Sequence, residues 1–593
     1  MQSHKEKKEL FLIALGYSDG AHLEKETCFI QMGLLYLATM LKDKGYSTKV
    51  IFRDYPDVDL MIEEIKEQNP GILGFYTTTE NIFRTLKCAK ILKKAFPSII
   101  IILGGPHGSI MDKEILGKEK AIDLIVRKEG EITLSEIVSF YFAGKGRLED
   151  IKGITYRKED EIIQNPDREF IEELDSLPIP DRDFLEEPIR TFDILYPRII
   201  TGRGCPFKCA FCYEGFGNKY RMRGPENVLE EVDYLLKRGT VRYIRFLDDT
   251  FTVNPGRTMK ICKGLRERSE DGKKFVWFAE GRVDVLSRNP RLIYEMSLSG
   301  LANIQLGVEC ADEHILELYQ KNITLAQIEK VVSICNDALI PSISINFILG
   351  GPFESHDIYE KNLNFIRKLM ALAPGRLNIT SSILVPFPGT AIRKEPEKFG
   401  LKIIDPEMIT GMTNEACFCE SESLNKYDLI NMKRAFERDV ENIMKGISKE
   451  VPYKTISQHF SLQFFGITSP WQYLFSEDTG IKRFFNLKLH SANLSFSEMA
   501  ENKLADSYPT RTYPLNYNKQ NLVIVEKVYG EEELDFPSSR LYELSSGKRT
   551  FRDIVALAKE NIFRDMSHEE IHRRIRLSYE NLEKLHAIIF TAI

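Results

Sequence analysis

No apolar run in this chain of 593 residues reaches the ~18 residues that a membrane-crossing helix needs, so no membrane span is expected. Basic residues are not in excess either. The net charge of −6 gives no reason to expect nucleic acid as a general partner, and Lys219-Tyr-Arg-Met-Arg223 is one short basic cluster. Ten cysteines occur without the dense spacing of a disulfide framework, which points to a reducing compartment. The charged opening Met1-Gln-Ser-His-Lys-Glu-Lys-Lys-Glu9 predicts no secretory signal, so a cytoplasmic protein is expected. What is present is ordinary in bulk: 43% hydrophobic and 28% charged residues describe soluble globular protein. The length implies about three to five domains of ~100–200 residues each.

One motif stands out. Cys205, Cys209 and Cys212 lie in Thr-Gly-Arg-Gly-Cys-Pro-Phe-Lys-Cys-Ala-Phe-Cys-Tyr. This CxxxCxxC loop can place three thiolates on three irons of a cubane and leave the fourth iron open, whereas iron–sulfur clusters usually take four cysteines. Structural zinc is the alternative, but zinc wants four closed ligands, usually as two pairs. No second pair stands at a suitable spacing, because Cys417 and Cys419 form only a distant CxC. Cys28, Cys88, Cys262, Cys310 and Cys335 sit in apolar or helical contexts and read as buried small hydrophobes.

The fold class is α/β. Strand and helix alternate from residue 9 to about 140: strands at Leu10–Leu15, Val50–Phe52, Ile72–Tyr76, Ile99–Leu103 and Asp123–Val126, with helices between them and near Thr133–Tyr141. This is the pattern of a doubly wound, Rossmann-like parallel sheet over residues 1–150, and such sheets bind ligands beyond the carboxyl ends of their strands. Those ends carry Thr77-Thr78-Thr79-Glu80, Gly104-Gly105-Pro-His107-Gly108 and Glu129-Gly130-Glu131. A proline-containing connector with a hairpin near Arg157–Glu161 fills 151–195. The pattern then resumes: Tyr243–Leu247, Phe275–Phe278, Asn303–Val308, Ser342–Leu349 and Leu377–Leu384 are strands, and about six βα units over 196–400 predict a partial TIM-type barrel. Residues 401–520 are mainly helical, with a helix at Tyr427–Lys445. Aromatics around Trp471 there either line a pocket or form plain core. Residues 521–593 read as a hairpin, Leu522–Val528 with Glu533–Phe536, followed by helices from Ser545.

The cysteine loop in this setting resembles the radical S-adenosylmethionine superfamily, and Phe211 before the last cysteine matches as well. The resemblance implies a 4Fe-4S cluster whose open iron chelates S-adenosylmethionine and yields a 5′-deoxyadenosyl radical. It also assigns expectations downstream. Asp248 and Asp249 stand near the methionine amino group, or else cap a helix. Arg282 pairs with the methionine carboxylate or forms a surface salt bridge. Gly307 and Glu309 approach the ribose, Gly350 and Gly351 the adenine, and Pro388 of Pro386-Phe-Pro-Gly-Thr390 borders the adenine.

The first domain resembles the cobalamin-binding domain that precedes a subset of these enzymes, with Thr77, Thr78, Gly104, Gly105, His107, Gly108, Glu129 and Gly130 as candidate contacts. The Asp-x-His-x-x-Gly motif of methionine-synthase-like domains is absent; His22 follows Asp19 at the wrong spacing. Cobalamin without a lower-face histidine is therefore expected, and His107 is either a cofactor contact or a loop histidine. The tail resembles the winged-helix element by which peptide maturases bind a leader peptide as an added strand, resting on Leu544, Gly547 and Thr550, or is a structural cap. The implied function is a C-methyltransferase acting on an unactivated carbon of a peptide or other natural product. It would be served by an electron donor such as flavodoxin or ferredoxin. The alternatives are a cyclase or ring-rearranging oxidoreductase with the same cofactors, and a non-catalytic cobalamin sensor.

Overall fold

The computed structural model describes residues 9–16, 30–53, 57–213, 215–270, 274–408, 416–478, 480–482, 496, 499, 504–513, 515–527, 530–564 and 566–591. Asp19, His22 and Cys28 lie outside them. The chain forms two compact bodies: one of residues 1–340, 344–365 and 379–437, the other of 341–343, 366–378 and 438–593.

The first body begins with β1 (Glu9–Leu15), α1 (Met32–Asp43), β2 (Ser47–Arg53), α2 (Val58–Gln68), β3 (Ile72–Tyr76), α3 (Ile82–Ala95), β4 (Ile100–Gly104), α4 (Pro106–Ile110), α5 (Asp112–Lys118), β5 (Leu124–Val126) and α6 (Glu131–Ala143). Strand order β2-β1-β3-β4-β5 is parallel throughout. Because strands such as β1 are buried along both faces, they read as continuous apolar runs rather than alternating ones. Leu10, Leu12 and Ala14 enter one core with α1 and α6, while Phe11, Ile13 and Leu15 enter a second core with α2 and α3. Helix starts and stops follow local chemistry. Asp57 caps α2 by accepting the Leu60 N–H at 3.0 Å, and Asn69 ends it in the left-handed region.

One expectation is corrected here. The hairpin assigned to the connector, β6 (Ile154–Lys158) and β7 (Glu161–Gln164), extends the first sheet as antiparallel edge strands. Its Ile154 and Tyr156 are buried in the first core, and that apolar pairing carries no local signature of which sheet it will join.

The barrel sheet has the order β15-β14-β13-β12-β11-β8. It is built from β8 (Arg198–Ile199), β11 (Tyr243–Phe246), β12 (Val276–Gly281), β13 (Leu301–Glu309), β14 (Ser342–Leu349) and β15 (Leu377–Ile383), with the two-stranded β9 (Gly202–Arg203) and β10 (Arg221–Met222) beside it. Six strands make the partial barrel that the repeat predicted. Helix Pro225–Arg238 opens on proline at its first turn and carries Lys237 and Arg238 in its last. Its buried face is Val228, Val232 and Leu235.

The second body is mainly helical, with Tyr453–Leu462, Pro470–Glu477, Phe536–Leu544, Phe551–Asn561 and His568–Lys584. A three-stranded antiparallel sheet (Asn516–Tyr517, Val523–Lys527, Gly530–Glu533) and a two-stranded pair (Tyr508–Arg511 with Ile588–Thr591) complete it. The hairpin's second strand ends at Glu533 rather than reaching Phe536. Asp535 caps a helix there by accepting the Ser538 N–H, and Pro537 favours its first turn. Trp471 is fully buried, and its indole donates to Leu377 O at 2.8 Å, so the aromatic cluster around it is core. Among the described residues no helix is long and apolar enough to cross a membrane.

Candidate functional site

The cysteine loop leaves β9 and returns at β10. Gly204, at φ 82°, makes the turn possible, because a Cβ there would stand 2.5 Å from Lys219 O. Ala210 between the second and third cysteines is held on both sides: its N–H donates to Tyr319 O at 2.9 Å, and its carbonyl accepts the Ile392 N–H at 3.1 Å. Phe211 meets Tyr319 edge to face, with ring centroids 5.0 Å apart. The loop is thus fixed by the barrel wall before any ligand arrives.

Cys205 and Cys209 are half-buried and Cys212 is exposed at the loop's rim. Desolvation by the protein packed around the loop pushes the Cys205 and Cys212 thiols up, even though Cys212 reaches solvent, with the neighbouring cysteines and Asp249 adding to it. Such thiols become ligands only as metal displaces their protons. Three cysteines on one pinned loop, one fewer than a structural zinc usually takes, fit a cubane with one open iron. Arg282 places Nη1 3.9 Å from Cys209 Sγ and stacks its guanidinium 3.6 Å from the Phe207 ring centre, which puts positive charge beside a sulfur that must become a thiolate.

The remaining barrel residues gather at the carboxyl ends of the strands. Asp248 is committed to protein: it accepts from Thr201 N–H and hydroxyl and from Tyr220 at 3.0 Å, and so it ties β11 to the strand end that feeds the cysteine loop. Asp249 is exposed, and no described residue hydrogen-bonds to it; crowding and the adjacent Asp248 push its carboxyl up. Of the aspartate pair, Asp249 is the member that faces the site. Arg282 is buried and bonded to Asp284 at 2.9 Å and to Lys321 O at 2.7 Å, so it is not a surface salt bridge. Glu309 is paired with Lys321 at 2.7 Å, both side chains being nearly buried. Gly307 leaves room for that pair, since a Cβ there would stand 2.4 Å from Lys321 Nζ. Gly350 takes φ 69° and donates its N–H to Glu354. Gly351 lies so close to Tyr319 that a Cβ would meet its hydroxyl at 2.0 Å.

The first sheet's strand ends form a separate cradle. Thr77 Oγ1 donates to Gly104 O at 2.7 Å and accepts the Gly108 N–H at 3.1 Å. Gly105, at φ 99°, lies against the Thr77 backbone. The Thr78 hydroxyl is buried with no partner among the described residues, an orphan pointing to a bound group. His107 bonds Thr79 Oγ1 at 3.0 Å, and burial lowers it to about 4, which keeps it neutral. Gly130 caps α6. Glu129 turns the other way: buried, it accepts from Arg203 at 2.9 Å and Arg221 at 2.8 Å, and from the Ile171 N–H. Its carboxylate bolts the first sheet to the barrel rather than lining the cradle. A loop of small, backbone-rich residues with one orphan hydroxyl fits a large cofactor that approaches the main chain.

Cradle and cysteine loop meet at the Pro386–Thr390 turn. A Cβ on Gly389 would lie 3.2 Å from Tyr213, which follows the last cysteine, and 3.3 Å from Ile110, which closes α4 after the Gly-Gly-Pro-His run. Sequence reasoning missed Tyr213, Ile110, Lys321 and Phe207. Tyr213 and Phe207 were adjacent to the motif and were the discoverable ones. Cys417, Cys419, Cys88, Cys262, Cys310 and Cys335 are buried and form no disulfide among the described residues.

A pinned three-cysteine loop on a partial barrel, against a cobalamin-type cradle, defines the class as a radical enzyme with two cofactor sites. Comparison with known proteins agrees. Residues 199–366 match the Radical SAM superfamily and residues 23–138 the B12 binding domain. An uncharacterized methyltransferase, PH0819, of Pyrococcus horikoshii is 30% identical over 369 residues, 61% of this chain and 77% of that protein. The anaerobic magnesium-protoporphyrin IX monomethyl ester cyclase of Rubrivivax gelatinosus is 29% identical over 344 residues, 56% of this chain and 61% of the cyclase. The cobalamin-dependent S-adenosylmethionine radical enzyme OxsB shares the fold with a TM-score of 0.61 at 17% identity, covering 81% of this chain and 72% of OxsB. This chain belongs to the cobalamin-binding radical S-adenosylmethionine family, whose cofactors are a 4Fe-4S cluster, S-adenosylmethionine and cobalamin.

Proposed function

We propose that this protein is a C-methyltransferase acting on an unactivated carbon of a peptide or other natural product. The observation that carries the reading is the meeting at Gly389 of Tyr213 from the cysteine loop and Ile110 from the cradle, because methyl transfer needs the radical source and the methyl carrier on one substrate. The relative named as a methyltransferase supports it. When bound, the three cofactors supply the radical and the methyl group. The chain's part is to hold them and exclude water. Cys205, Cys209 and Cys212 hold the cluster. Asp249 and Arg282 face the methionine end of S-adenosylmethionine, with Gly350, Gly351 and Pro388 toward its adenine and the Lys321–Glu309 pair toward its ribose. Thr77, Thr78 and Gly104–Gly108 would receive cobalamin. A cytoplasmic flavodoxin or ferredoxin would deliver electrons, and the terminal element (residues 521–593) would take a leader peptide on its strand edge.

The similarity to the cyclase favours a second reading, ring formation without methyl transfer. Anaerobic protein given dithionite, methyl-labelled S-adenosylmethionine and candidate peptides decides between the two. Label in the product, with S-adenosylhomocysteine matching deoxyadenosine, is the expected result. Deoxyadenosine alone would favour the cyclase. The Cys209→Ser variant should lose cleavage while retaining cobalamin, and cleavage by that variant overturns the cluster assignment.

A further inference from the structure

The two faces of the barrel sheet differ in kind. On the helix-covered face, Ile244, Phe246, Trp277, Ile304, Leu306 and Phe347 are all at 0% exposure. Their strand neighbours point into the barrel, and there the sheet is polar: Arg245, Glu280, Gln305, Asn346, Thr380 and Ser382. Register keeps them on one side. Arg245 pairs with Phe278, two residues before Glu280, and Glu280 pairs with Gln305. Asn346 Nδ2 donates to Ser382 Oγ at 3.3 Å, and Thr380 Oγ1 to Asn346 Oδ1 at 3.2 Å, which ties the far strands into the same layer. This layer opens on the site, since Arg245 precedes the Asp248-Asp249 turn on β11 and Glu280 precedes Arg282 on β12.

Arg245 has no ion-pair partner in this layer among the described residues. Among the described residues the Arg245 side chain makes no ion pair or hydrogen bond; its Nε is buried without a partner, the Phe278 ring lies 5.4 Å away, and Glu280 is within electrostatic reach but not bonded to it. No salt bridge joins it to Glu280, although the two charges feel each other. Burial, with Asp249 and Glu309 close by, pushes the Glu280 carboxyl up to about 7, and its one hydrogen bond is a long 3.5 Å contact from Gln305. A guanidinium left single in a half-buried, hydrogen-bonding layer is unfavourable until an anion completes it. Covering the same layer with a hydrocarbon would leave its remaining donor and acceptor positions unsatisfied, at ~1–3 kcal/mol for each buried one.

We propose that the substrate is a polar, hydrogen-bonding acid whose carboxylate docks on Arg245 inside the barrel, with the amide and hydroxyl layer of Gln305, Asn346, Thr380 and Ser382 beneath it. Planar carboxylate and planar guanidinium match in a two-pronged geometry that ammonium lacks. The proposal rests on the radical methyltransferase reading and narrows it to a substrate class, selecting against lipids and other hydrocarbons. A layer built to hydrogen-bond its substrate discriminates strongly against analogues that lack those groups.

The test is equilibrium binding by anaerobic calorimetry to the holoenzyme loaded with cluster, cobalamin and S-adenosylmethionine. The probes are N-acetylglutamate and succinate, their diamides, and decanol. The expected result is that at least one acid binds tenfold or more tightly than its own amide, that Arg245→Gln removes this preference, and that Arg245→Lys keeps part of it. No preference for acid over amide in the wild type, a preference that survives Arg245→Gln, or decanol binding more tightly than the acids overturns the proposal. Dithionite-driven cleavage of S-adenosylmethionine by the wild type, measured without any acid, reports separately on the underlying radical reading. Its failure would be visible on its own.

Discussion

Replacing Glu354 by Gln should change how the first body's stability depends on pH. Glu354 follows the Gly350-Gly351 turn and is 2% exposed. One carboxylate oxygen accepts the Gly350 N–H at 3.0 Å, and the other is buried with no partner. Burial holds the carboxyl at about 7 against an ordinary 4.5. Below 4.5 the folded and unfolded chains both carry the proton. Between 4.5 and 7 the folded protein keeps a proton that the unfolded chain has lost, so stability falls as pH rises through that window. Above 7 the full penalty is present. At ~1.4 kcal/mol per pH unit it amounts to about 3 kcal/mol. The Glu354→Gln variant carries no such charge. Thermal unfolding of wild type and variant, followed from pH 5 to pH 8, should show the variant gaining on the order of 5 °C relative to wild type across the range. Parallel curves would refute the assignment of a buried, near-neutral carboxyl.

Two further outcomes follow from the geometry. In Gly105→Ala the new Cβ must enter at φ 99° and stand 2.6 Å from Thr77 O, a strain of ~1–2 kcal/mol before the backbone shifts. The purified protein should lose cobalamin by visible absorbance while keeping its cluster iron, and normal cobalamin content would argue against the cradle. In Glu129→Ala the Arg221 guanidinium loses its carboxylate and Arg203 keeps only Glu131. Stripping one partner from such a buried group costs about 3–5 kcal/mol, and an unchanged unfolding temperature would contradict the role given to Glu129.

Elements with a strong period or a steric requirement were legible in the sequence. The parallel strands of the first sheet, the six barrel strands and the cysteine loop each carry their signal within a dozen residues. Gly105 and Gly350 could be read as strand-end glycines because only a few turn geometries accept them. What was not legible depends on partners far apart in the chain. Nothing local distinguishes Glu129, whose partners are Arg203 and Arg221, from an acid that lines a cofactor loop. Asp248 and Asp249 are neighbours of one type, yet Tyr220 and Thr201 claim the first and leave the second to the site. The β6–β7 hairpin was visible as a hairpin, but its allegiance to the first sheet is decided by the apolar faces of Ile154 and Tyr156. Lys321 gave no signal, because its value lies in reaching Glu309 across the barrel mouth.

The anchor of Glu129 between Arg203 and Arg221 has a consequence for traffic. Separating the cradle from the barrel would strand four charges, those of Glu129, Glu131, Arg203 and Arg221, in a dry interior, which favours a fixed spacing between carrier and radical source over a hinged jaw. The barrel sheet stays unclosed beside β15, where Thr380 and Ser382 are exposed, and that side would serve as the doorway for reactant and product. That doorway, more than any domain motion, would set how large a molecule the enzyme can serve.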